Sequence, residues 1–119
     1  MNPDPPITKI IQRIEHDYAQ QHLSLYLHKK STDFLRSRGL RARTVLRLTV
    51  RQLPNSHDYR GPSLHHWLTE FTVYEFIENI LDGDLNGDMY VKFDLSHTTS
   101  QLESIHPREK PLNNTWTRY

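Results

Sequence analysis

The run from Arg41 to Leu53, RARTVLRLTVRQL, constrains this chain more than any other stretch. One parity holds Arg41, Arg43, Val45, Arg47, Thr49 and Arg51, and the other holds Ala42, Thr44, Leu46, Leu48, Val50 and Gln52. Successive side chains of a strand point to opposite faces. The alternation therefore predicts a strand with one apolar face and one arginine face. A helix, turning about 100° per residue, is expected to scatter the arginines.

A second strand is expected over 89–95, where Met89, Val91, Phe93 and Leu95 alternate with Tyr90, Lys92 and Asp94. The chain opens on a helix signal. Asp4 stands as N-cap, and Pro5 and Pro6 occupy the first turn, where a missing N–H costs little. Ile7, Ile11, Ile14 and Tyr18 follow at helical spacing with Ile10 beside them, a seam too short for a coiled coil. Residues 22–30 fit either a strand carrying Leu23, Leu25 and Leu27 or a continuation of that helix. Ser31, Thr32 and Asp33 on one side and Gly39 on the other bracket a helical turn with Phe34 and Leu35.

The segment 54–62, PNSHDYRGP, reads as a loop. Ser63 then caps an expected central helix with Leu64, Trp67, Leu68, Phe71 and Tyr74 on one face. Val73, Phe76, Ile77 and Ile80 make that helix apolar nearly all round, and a break into a strand over 71–80 is the alternative. Thr98 or Thr99 is expected to start a brief helix with Leu102 and Ile105. Together these elements predict an α+β fold, a small and mainly antiparallel sheet packed with an N-terminal helix and a central helix. Residues 1–106 form one domain in this reading. Residues 107–119 form an extended tail, whose Leu112, Trp116 and Tyr119 are expected to cover the domain or a neighbour.

A net charge of +1 conceals a division of the chain. From Lys29 to Arg60 nine basic residues face two acidic ones, a net of +7, and from Gly61 to Ile105 one lysine faces eight acidic residues, a net of −7. Packing of the two halves against each other is the first explanation, polyanion binding by the basic half the second, and association with another copy or an acidic partner the third. With no cysteine, disulfides and thiolate chemistry are excluded. No apolar run approaches the roughly 18 residues of a membrane span, and the N-terminus MNPDPP lacks the basic and apolar regions of a secretory signal. Cytoplasmic placement is therefore expected.

The segment DGDLNGD, Asp82 to Asp88, matches the opening of a calcium loop, but its twelfth position is Phe93 rather than a bidentate glutamate. A turn rich in Asp, Asn and Gly explains it as well. His16, His22 and His28 fall on different helix faces, His65 and His66 are adjacent, and His57–Asp58 lacks a nucleophile, so each histidine is expected to be solvated or to cap. No serine sits in a glycine-flanked elbow and no glycine-rich phosphate loop exists. The reading is therefore a non-enzymatic interaction protein of the adaptor, inhibitor or immunity kind. It is expected to have no cofactor and no metal, and to recognise a protein partner by its surface. A nucleic-acid binder using the arginine face is the alternative. Arg41, Arg43, Arg47, Arg51, Trp116 and Tyr119 are the candidate binding residues, and a homodimer covering the isoleucine seam, a sheet edge and the tail is possible.

Overall fold

The computed structural model describes residues 7–65, 68–81 and 85–108. In chain order these form α1 (Ile7–Ala19), β1 (Leu23–Leu25), α2 (Lys29–Ser37), α3 (Ala42–Arg51), a 3-10 turn (Leu53–Asn55), β2 (Ser56–Leu64), β3 (Thr72–Ile80), β4 (Gly87–Leu95) and β5 (Ser100–Pro107). The strands make one sheet in the order β1-β5-β4-β3-β2, with β1 parallel to β5 and every other neighbour antiparallel. This is the expected α+β class with a mainly antiparallel sheet. Among the described residues no helix is long and apolar enough to cross a membrane.

The arginine run is a helix, not a strand. α3 buries Val45, Leu46, Thr49 and Val50 and leaves Arg43, Arg47 and Arg51 outside. These arginines are four apart. Four is a multiple of the strand period, yet it overshoots a helical turn by only about 40°, so the same spacing draws one stripe on either element. The apolar set separates the two, because 45, 46, 49 and 50 share one side of a helix but occupy both faces of a strand.

The central helix of the fold is α3, not a segment from Ser63, and of the two readings over 71–80 the strand is the one present. Leu64 ends β2, and residues 72–80 are β3, buried along nearly its whole length. A strand covered on both faces loses its alternation and looks apolar all round, as a buried helix does. The expected loop over 54–62 is a 3-10 turn and most of β2. β2 is an edge strand with register shifts between Ser56 and Asp58 and between Arg60 and Ser63, where Pro62 and Gly61 are tolerated. A Cβ on Gly61, whose φ is +140°, would come 2.7 Å from the Val73 carbonyl oxygen.

Residues 98–105 form no helix either. In β5, Lys92 pairs with Ser104 and Phe93 with Leu102, so Glu103 is the extra residue of a bulge. The bulge returns both Leu102 and Ile105 to the core although they are three apart, a spacing that imitates a helix. Of the alternatives over 22–30 the short strand is present, but only as Leu23–Leu25. α2 begins earlier than the Ser31–Asp33 cluster, at Lys29. It ends where Gly39 was expected to stop it. Gly39 takes φ +65°, its N–H donates to Arg36 O at 3.1 Å, and Leu40 N–H donates to Leu35 O at 2.9 Å, the two bonds of a Schellman cap.

One core cluster joins Ile10, Ile11 and Ile14 of α1, Leu35 of α2 and Val45, Leu46 and Val50 of α3 to the sheet. The sheet contributes Tyr74, Phe76 and Ile80 of β3, Met89, Val91, Phe93 and Leu95 of β4, and Leu102 and Ile105 of β5. The isoleucine seam is thus covered by the protein's own core and does not await a second copy. Polar bonds fix the register of α1 on the sheet. Arg13 donates to Asp17 and to the carbonyls of Ser96 and Thr99, and Ser100 Oγ donates to Asp17.

Glu78 shares the core-facing parity of Phe76 and Ile80, is fully buried, and neither carboxyl oxygen has a hydrogen-bond partner. Burial pushes its carboxyl from 4.5 up to about 9. The folded state therefore holds a proton that the unfolded state releases, and stability falls as pH rises from about 4.5 to about 9. Glu78→Gln is expected to remove this slope, up to about 1.4 kcal/mol per pH unit. Glu78→Met is expected to raise stability at pH 8 by a few kcal/mol. Urea unfolding of the wild type and both variants between pH 5 and 8 measures the difference.

Candidate functional site

α2 and α3 lie on the far side of the core from the sheet and display most of the basic half of the chain. Arg41, the N-cap of α3, and Arg43, Arg47 and Arg51 are all exposed. Among the described residues none of the four side chains makes a hydrogen bond or an ion pair. At a rise of about 1.5 Å per residue, Arg43, Arg47 and Arg51 form a stripe roughly 12 Å long. α2 adds Arg36, whose Nη1 is 4.0 Å from Asp33 Oδ1, and Arg38, whose guanidinium stands over the Phe34 ring at 5.4 Å. Neither helix carries an acidic residue in its first turn or a side-chain N-cap, so nothing local offsets the positive helix ends.

Where α2 turns into α3 the surface opens into a groove of about 340 Å³ lined by Leu27, Thr32, Leu35, Arg36, Leu40 and Ala42. The Schellman cap at Gly39 makes it, because it brings Leu40 back against Leu35.

The acidic half does not neutralise this surface. Among the described residues four of its carboxylates, Glu75, Asp88, Asp94 and Glu103, lie in the sheet on the face away from the helices and have partners there. Arg60 Nε and Nη2 each donate to Glu75 at 2.7 Å, and Tyr90 Oη donates to the same carboxylate. Burial would raise Glu75, but the Arg60 and Tyr90 hydrogen bonds outweigh it and hold it below its usual value. Tyr90 is pushed up by burial and by its bond to Glu75, and its ring stacks on His106 at 5.0 Å. Further along, Lys92 Nζ lies 2.8 Å from Glu103 Oε2 and His65 Nε2 lies 2.7 Å from Glu103 Oε1. Gln101 Nε2 donates to Asp94 Oδ2 at 2.7 Å. At the sheet end Asp88 accepts from Asn79 and faces His57 and Arg108.

Of the two roles expected for His65, it is not solvated but buried beside two carboxylates, and it does accept a cap-type bond from a backbone N–H three residues on. One of its ring nitrogens and a carboxylate oxygen each from Asp94 and Glu103 lie within 4.8 Å of one another, the company a metal ion keeps. The hydrogen bonds favour a different state. Leu68 N–H donates to His65 Nδ1 at 3.1 Å, so in the neutral ring the proton sits on Nε2 and points at Glu103. A metal-binding Nε2 would need its lone pair free and Nδ1–H donating outward. Lys92 already supplies the positive charge. Burial would raise Glu103, but Lys92 and His65 outweigh it and hold it down, while burial and the Glu103 charge push Asp94 up to about 6. The side chains of His65, Asp94 and Glu103 are 2%, 0% and 1% exposed.

Of the sequence-derived candidates, the structure gathers the four arginines on one helix. Trp116 and Tyr119 lie outside the described residues, as do Asp82, Gly83 and Asp84 of the calcium-loop motif. Phe93, its twelfth position, is a core residue. Sequence reasoning missed the groove and the buried charged layer, whose members are scattered from 60 to 106. The alternation of Tyr90, Lys92 and Asp94 was the one available signal that a sheet face would be charged. No protein family, no curated protein and no solved structure matches the chain.

Lys92→Met leaves Glu103 and Asp94 buried with less positive charge and is expected to destabilise the fold by about 2–4 kcal/mol. Lys92→Arg should retain most of that stability. Urea unfolding at neutral pH, with and without added zinc, checks both; restoration of Lys92→Met by zinc would instead support a metal at His65.

Proposed function

We propose that the protein is a non-enzymatic recognition protein, of the adaptor, inhibitor or immunity kind, that docks an acidic protein partner on the α3 face in the cytoplasm. The observation that carries this reading is the row of exposed arginines Arg41, Arg43, Arg47 and Arg51, unpaired among the described residues. Arginine presents a planar fork of donors that matches a carboxylate bidentately. Uncommitted guanidinium groups on a rigid helix are prepared for such contacts. The closed state of the His65 cluster supports a binding protein over an enzyme, because this group of titratable side chains is buried from solvent.

Nucleic acid is the competing ligand for the same charges. Binding single strands usually adds aromatic side chains on which bases stack. α2 and α3 offer one aromatic residue, Phe34, and Arg38 already lies over it. The apolar groove beside the stripe, of no use to a phosphate backbone, also favours a protein ligand.

The double variant Arg43→Glu, Arg47→Glu is expected to keep the wild-type circular dichroism and to lose the partner. Affinity capture with both proteins, before and after nuclease treatment and at low and moderate salt, tests it. A protein retained after nuclease by the wild type and lost by the variant fits the proposal. Recovery of nucleic acid alone, or equal capture by the variant, contradicts it.

A further inference from the structure

We infer that the groove between α2 and α3 is an anchor pocket, which takes one aliphatic side chain of the partner at the end of a short acidic segment. This rests on the reading of α3 as a partner-binding face and adds the chemistry of the occupant. The floor is aliphatic, from Leu27, Leu35, Leu40 and Ala42, and the rim carries Thr32 and Arg36. Its volume of about 340 Å³ lies at the small end of ligand pockets, which run from roughly 300 to 1,000 Å³. That size suits a side chain rather than a folded surface.

Position ties the groove to the arginines. Ala42 lines it, and Arg41 and Arg43 flank Ala42 in the chain. From there Arg47 and Arg51 continue along α3 with no ion pair among the described residues. An extended peptide advances about 3.3 Å per residue, so about four residues beyond the anchor cover the roughly 12 Å stripe. A leucine, isoleucine or valine next to several aspartates or glutamates satisfies both the floor and the charge. Arg36, loosely held by Asp33, is placed to receive the first carboxylate beside the anchor.

The arrangement divides the work of recognition. Charge draws an acidic chain to the helix and accelerates encounter, while burial of one apolar side chain in a formed pocket selects which acidic chain stays. A uniformly charged polyanion gains only the first term.

The test uses the full chain and two fluorescent twelve-residue peptides, one with a single leucine followed by alternating aspartate and glutamate, the other with glycine in place of the leucine. Fluorescence anisotropy at low ionic strength is expected to show the leucine peptide binding the wild type about tenfold more tightly. Ala42→Leu fills the groove and is expected to bring the leucine peptide to the level of the glycine peptide, with the glycine peptide unaffected. Thr32→Met, entering from the opposite wall, is expected to do the same. Equal binding of the two peptides to the wild type, or a preference that survives in both filled variants, overturns the anchor pocket and leaves the arginine face standing. Binding of neither peptide to the wild type, or undiminished binding to Arg43→Glu, Arg47→Glu, overturns the recognition face itself. A duplex oligonucleotide bound in place of both peptides does so in favour of nucleic acid.

Discussion

Three short helices in this chain share a single apolar surface on which to pack, the sheet face built by Phe76, Ile80, Met89, Val91, Phe93, Leu102 and Ile105. None is long enough to be stable alone in water, so each owes its existence to the apolar stripe it lays on that face. The orientation of every helix follows. α1 turns Ile10, Ile11 and Ile14 inward, and α3 turns Val45, Leu46 and Val50 inward. With its inner side committed, α3 has no choice but to hold its arginines in water. The charged surface is therefore a consequence of how the core is packed.

The opposite face of the sheet obeys a different constraint. Its residues are mostly charged and yet largely buried, and buried charges must be paired. Arg60 with Glu75 and Lys92 with Glu103 meet that demand, His65 lies within hydrogen-bond distance of Glu103, and at the half-exposed sheet end Asp88 lies beside Arg108 and His57. The acidic half of the sequence thereby consumes the few cations of its own neighbourhood. Among the described residues the side chains of Arg41, Arg43, Arg47 and Arg51, on the other side of the helix layer, are left without partners. A chain that is nearly neutral overall thus becomes a molecule with one strongly basic surface, and the groove at the α2–α3 turn adds an apolar foothold beside it.

Several elements show how a local pattern can be satisfied by two periods. The spacing of four in Arg43, Arg47 and Arg51 is common to strand and helix. The spacing of three between Leu102 and Ile105 is helical until a bulge at Glu103 adds a residue to a strand. β3 buries residues on both faces, Val73 and Ile77 on one and Tyr74, Phe76 and Ile80 on the other, and so shows no clean alternation. By contrast Met89 to Leu95 alternates strictly and is a strand, and Ile7 to Ala19 repeats at helical spacing and is a helix. In these two cases one period alone places the apolar residues together. Pro62 and Gly61 marked irregular backbone correctly, but irregular backbone on a sheet edge is still strand.

The sequence by itself determined the α+β class, the first helix, the fourth strand, the stop at Gly39 and the identity of the four arginines. Each rests on residues within a few positions of one another, where side-chain period and backbone preference decide locally. Only the tertiary structure decided that the arginine run is a helix, because that depended on whether a helical stripe of Val45, Leu46, Thr49 and Val50 or a strand face would find a partner surface. It alone united His65 with Asp94 and Glu103, and Arg60 with Glu75 and Tyr90, since their meeting depends on strand order and register rather than on any spacing along the chain. Pairing across a sheet is a long-range event, and no local pattern encodes which distant carboxylate a given cation will meet.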